Sequence, residues 1–207
     1  MKVGRLDVNQ ENVLKWLRSI PFFGAVFLVA NFYSNSGVLT KRKKIAALFD
    51  WCKRIFFGMF FTLVLSLGIV VFLQDGLFHP TYNPTGLDAT SVALSIFPSI
   101  LGFGIGVFVV IFALPNQFME KVNSIKSKGI NKTFGASLMV VDMAYPLMVY
   151  AVILMGEFII KLFQTSLLTQ VISVFLLLYG MLMTFDLISL IFMTAYTLLA
   201  VQASRNT

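Results

Sequence analysis

Apolar residues gather in this chain into long runs that neither alternate like a half-buried strand nor keep to one stripe like a surface helix. Four runs reach the roughly 20 residues that a helix needs to cross a bilayer. They extend from about Ile55 to Leu73, Val92 to Leu114, Ala136 to Ile160 and Leu167 to Val201. The last exceeds one crossing, so it should tilt or project beyond the bilayer. A shorter apolar stretch, Ile20 to Tyr33, suits an interfacial or re-entrant segment. Ahead of it, Val13, Leu14, Leu17 and Ile20 share a helical face, Trp16 suits the headgroup boundary, and Pro21 ends the segment. Between Thr40 and Arg54, Ile45, Leu48, Phe49 and Cys52 share a face, which predicts a helix feeding straight into the first span. The predicted fold is all-α: a four-transmembrane-helix bundle with an N-terminal amphipathic, interfacial segment, forming a single domain over residues 1–207.

Composition strengthens this reading. Of 207 residues, 58% are hydrophobic and only 12% charged, where a soluble domain carries about 25% charge. A chain this short cannot hide so much apolar surface from water.

Charge then sets the orientation. Lys and Arg number 16, and all but Lys161 fall before the first span, between the second and third, or after the fourth. Translocating positive charge is disfavoured, so that side is cytoplasmic and both termini lie there. The +7 balance marks topology and not direct nucleic-acid binding, because the basic residues sit in loops between apolar runs. Lys41, Arg42, Lys43 and Lys44, joined by Lys121, Lys126, Lys128 and Lys132, form either an anionic-lipid anchor or a cytoplasmic docking surface.

Chemistry-bearing patterns are scarce. No HExxH, GxSxG, CxxC or phosphate-loop pattern occurs, and the lone His79 lies outside the spans, so no enzyme, cofactor or metal is expected. Cys52 is a small interfacial residue or an acylation target. In the second span, Ser91, Ser95, Ser99, Gly102 and Gly106 recur at steps of four or three, with Pro98 expected to kink the helix among them. Such small residues let helices approach closely, either within one subunit or between subunits around a pore. Gly58, Thr62 and Ser66 make a similar stripe in the first span. Glu157, four residues before Lys161, reads as half of a local ion pair. Asp142 and Asp186 should each face protein or water, since a carboxylate in lipid costs about 2.5 kcal/mol or more. They are candidate neighbours, protonated or bonded to Thr184, Ser189 or Tyr145, and no basic residue within a span offers a counter-ion. Their role is either polar glue or a gating element.

The four-span plan with its basic cytoplasmic front, and the stretch from Ile96 to Gly106 (IFPSILGFGIG), resemble the membrane-subunit (KwaA) family of the Kiwa anti-phage defence system. The resemblance implies a homotetramer in a bacterial inner membrane that senses infection and works with a cytoplasmic DNA-binding partner, KwaB. On this reading the chain is a non-enzymatic sensor and scaffold embedded among membrane lipids. A small oligomeric ion channel or pore subunit is the alternative, and a secondary transporter the weaker third, as no inverted repeat is evident.

Overall fold

The computed structural model describes residues 16, 19–35, 45–73, 88–113, 136–162 and 166–203. Regular structure among them is helical throughout. Helix α1 is Phe23–Ser34; α2 is built from Leu48–Trp51, a π-helical turn Cys52–Phe56 and Phe57–Leu73. Helices α3, α4 and α5 are Ala89–Phe112, Ala136–Leu162 and Leu167–Ala203. Four windows within α2 to α5 are long and apolar enough to cross a membrane: Leu48–Phe72, Ala89–Val110, Val140–Leu162 and Leu167–Tyr196. The chain is therefore a multi-pass membrane protein by length and composition.

Specific pairs fix the register of the four long helices. Thr90 meets Ser173, the Phe97 ring meets Gly180, and Gly104 meets Leu187. Each pair is offset by the same number of residues, so α3 and α5 run parallel. Between α2 and α5, Gly58 meets Leu182 while Ser66 donates to the Val171 carbonyl, so these two run antiparallel. Phe97 stacks on Tyr150 and Gly104 meets Leu147, which sets α4 antiparallel to α3. The core lies along these seams, around Phe97, Met143, Tyr150, Ile153, Met183 and Leu187. Outside it, Phe57, Phe72, Phe103, Phe185 and Phe192 are exposed, as an apolar belt facing lipid requires.

Helix α1 is 12 residues long, about 18 Å at 1.5 Å per residue, and cannot cross a bilayer core of ~30 Å. It packs on α4, so the short apolar stretch is part of the bundle. Its entry is a γ-turn: Phe22 has φ 67 and the Phe23 amide donates to the Pro21 carbonyl at 2.8 Å. Its end is tied to α2, where the buried Asn31 Oδ1 accepts from the Ala46 amide at 2.8 Å. That bond holds the chain extended at Ala47, so helix α2 begins at Leu48, and residues 40–44 of the predicted helix lie outside the described residues. The predicted shared face does not turn inward: Leu48, Phe49 and Cys52 are exposed, and the apolar window starts seven residues before Ile55. Of the predicted amphipathic segment, Val13, Leu14 and Leu17 lie outside the described residues, and Trp16 is exposed. Pro98 and Pro146 are accommodated inside continuous helices.

Candidate functional site: an arginine between four helices

The π-helical turn carries Arg54. A wider turn changes the phase of the helix, so Arg54 aims away from the face that Gly58, Thr62 and Ser66 present to α5. Its Nη1 donates to the Tyr33 carbonyl at 2.8 Å and to Asp142 Oδ1 at 3.3 Å. Tyr33 is in the last turn of α1, where unsatisfied carbonyls carry partial negative charge, so one guanidinium neutralises a helix end and a carboxylate together. The same guanidinium stands 5.2 Å from the centre of the Tyr33 ring. That ring stacks on Tyr145 of α4 at 4.2 Å and 10°, and the Tyr145 hydroxyl is 2.8 Å from the Tyr179 hydroxyl of α5. Arginine, two stacked rings and a hydroxyl pair thus join α2, α1, α4 and α5. Both members of the ion pair are only partly shielded, at 29% and 23% side-chain exposure, so the pair can be solvated when the helices part.

This overturns the expectation that no basic residue within a span serves as a counter-ion. Arg54 falls inside the apolar window that starts at Leu48, and it is the partner of Asp142. Two of the three partners foreseen for the acids are committed elsewhere: Thr184 accepts from Tyr150 and donates to the Gly180 carbonyl, and Tyr145 pairs with Tyr179, while Ser189 is exposed. Asp186 is exposed, seven residues after Tyr179 and so on the same face of α5. It lies near enough to act electrostatically on Asp142, Tyr33, Tyr145, Tyr150 and Tyr179. The Gly58–Leu182 contact of the antiparallel α2 and α5 puts Arg54 and Asp186 at one height.

Glu157 also departs from expectation. It is fully buried and bonded to Ser173, whereas Lys161 is exposed, so the two form no ion pair. At the same end of the bundle, Asp88 caps α3: its Oδ1 accepts from the Ser91 amide at 3.0 Å and its Oδ2 from the Ser91 hydroxyl. These bonds hold the Asp88 carboxyl below its ordinary value.

The small-residue stripe of α3 faces outward. Ser91, Ser95, Pro98, Ser99, Gly102 and Gly106 are all exposed, and a Cβ added at Gly102 or Gly106 would meet nothing within 4 Å. Ser95 only bonds back to the Val92 carbonyl. The α2 stripe does the opposite, with Thr62 and Ser66 buried. Lys41, Arg42, Lys43, Lys44, Lys121, Lys126, Lys128 and Lys132 lie outside the described residues. Among the described residues no group of His, Cys, Asp and Glu is arranged to hold a metal ion. Arg54 and Tyr33 were missed in the sequence because one was placed on a cytoplasmic helix ahead of the first span and the other at the end of a short apolar stretch. Comparison with known proteins finds no matching family model, no matching curated protein and no matching solved structure.

Proposed function

We propose that this chain is a non-enzymatic membrane sensor and scaffold that assembles with copies of itself and signals toward the cytoplasm. The observation that carries the reading is the outward stripe on α3, whose Gly102 and Gly106 leave room for another backbone to approach. In lipid, close packing between small residues replaces the hydrophobic force that joins soluble subunits. The Arg54–Asp142 pair supplies the two-state element that a sensor requires: closed, it ties α1 and α2 to α4; open, it releases them. Both termini are assigned to the cytoplasm because nearly all Lys and Arg fall in segments on that side. The resemblance to the Kiwa membrane subunits supports a homotetramer in a bacterial inner membrane with a cytoplasmic DNA-binding partner, KwaB.

The test is gentle purification of the tagged chain together with its neighbouring genes, with complex mass and co-purifying proteins as readouts. An oligomer that Gly102→Leu reduces to monomers, and that carries a cytosolic DNA-binding protein, is expected. A monomer with no companion would sink the reading. Exposed Asp186 favours a second reading, a small oligomeric channel in which this carboxylate faces a water-filled path. Reconstituted chain that shows no conductance under voltage, altered pH or tension would remove it.

A further inference from the structure

At the end of the bundle opposite Arg54 lies a buried carboxylate that the sensor reading does not use. Glu157 on α4 has no exposed surface. The Ser173 hydroxyl of α5 donates to it, at 2.8 Å from Oε2 and 3.1 Å from Oε1. Thr90 Oγ1 of α3 stands 2.9 Å from the same Ser173 hydroxyl and lies near enough to the Glu157 carboxyl to act on it. Three helices therefore converge on one carboxyl group and two hydroxyls.

The surroundings supply dipoles and no opposite charge. On α4, Lys161 lies one turn further on and is exposed. On α3, Asp88 is exposed at the rim and acts on Glu157 with the same sign of charge. Helix α5 brings only Ser173, and the nearby Ser66 hydroxyl of α2 is committed to the Val171 carbonyl at 2.8 Å. Among the described residues no cation pairs with Glu157. An ionised carboxylate in such a place costs several kcal/mol, and a bound proton removes that cost.

A proton also completes the hydrogen bonding. With Glu157 protonated, its O–H donates to Thr90, Thr90 donates to Ser173, and Ser173 donates to the other oxygen of Glu157. Each group then donates once and accepts at least once, closing a ring that the ionised form leaves one donor short. Access is short: Glu157 lies five residues from the end of α4, about 7.5 Å along the axis. We propose that Glu157, Thr90 and Ser173 form a proton-binding site, filled and emptied from the end of the bundle where Asp88 and Lys161 are exposed. Loss of the proton leaves a negative charge between α3, α4 and α5, so acidity on that side biases how the three helices pack. The site requires only the packing of these helices and stands whether or not the chain signals to a partner.

Dicyclohexylcarbodiimide modifies protonated carboxyls in apolar settings, so it tests the site on the full chain in nanodiscs. Peptide mapping should find Glu157 modified at about pH 6 and modified about tenfold less at about pH 9. Glu157→Gln should abolish the modification and the infrared band of the buried acid. Ser173→Ala should keep that band but shift it to higher wavenumber, because the carbonyl loses a hydrogen bond. Absent modification, modification equal at both pH values, or an unshifted band would each overturn the proposal. So would protection by sodium ions at constant pH, which would assign the site to a metal cation instead.

Discussion

Arg54 illustrates what a single side chain decides in an apolar setting. One nitrogen serves two acceptors on different helices, so replacing it strips a helix end and a carboxylate together. Arg54→Met should destabilise the bundle by about 1–3 kcal/mol, below the cost of breaking a fully buried pair because both groups keep some solvent. SDS unfolding in mixed micelles measures this, and adding Asp142→Asn should recover part of the loss. A double variant as unstable as the sum of the two singles would mean that the pair has no coupling. Lys at position 54 should rescue only in part: one ammonium can donate to both carbonyl and carboxylate, but it lacks the planar group that stands over the Tyr33 ring. At the other end, Asp88 caps α3 through two bonds from Ser91. Its folded-state pKa is held below the ordinary 3.8, so its contribution is complete above that value and is lost as pH falls through the lower one. Asp88→Ala should therefore cost about 0.5–1 kcal/mol at neutral pH, and its difference from the parent chain should vanish in strong acid.

Among helices, the informative contrast is between two stripes that look alike in sequence. Small residues every three or four positions mark a surface where a neighbour can come close, but not which neighbour. In α2 the stripe meets α5; in α3, among the described residues, Gly102 and Gly106 meet no other helix. Gly180 and Gly102 accordingly make opposite predictions. A side chain at Gly180 would collide with the Phe97 ring, so Gly180→Leu should destabilise the monomer by about 1–3 kcal/mol. Gly102→Leu should leave monomer unfolding unchanged and lower only the mass of the assembly. Equal effects of the two on unfolding would mean that α3 has no separate outer face. The four spans were legible because length and apolarity alone define them. The Arg54 centre was not, because apolar runs locate a span's edge by composition. The bond from Ala46 to Asn31 and the exposed Leu48 and Phe49 move that edge seven residues, which carries Arg54 inside it. Glu157 was misassigned for a related reason. Spacing of four residues permits an ion pair with Lys161, but a partner on another helix, Ser173, is visible only once α4 and α5 are packed.

For the molecule as a whole, the register of the helices sorts polar groups into two ends. Leu73, Asp88, Leu162 and Leu167 mark one end; Leu48, Phe112 and Ala136 mark the other. Glu157 and Asp142 lie fifteen residues apart on α4, about 22 Å along the axis, so each sits toward one face of a ~30 Å hydrocarbon layer. Helix α5, at 37 residues and about 55 Å, is the one long enough to emerge well beyond the layer. The side on which it emerges is set by charge, since basic segments resist translocation. If the Arg54 end faces the cytoplasm, the Glu157 end samples the outside, and the two polar centres report on opposite compartments. The orientation is testable in a Cys52→Ser background with a thiol at one end at a time, using a maleimide that cannot cross membranes. Both Ala47 and Lys161 are exposed, at the Arg54 end and the Glu157 end respectively. In intact cells Lys161→Cys should label and Ala47→Cys should not, while opening the cells should make both label equally. The reverse pattern would turn the molecule over, assigning the Arg54 ion pair to the outer face and the Glu157 site to the cytoplasm.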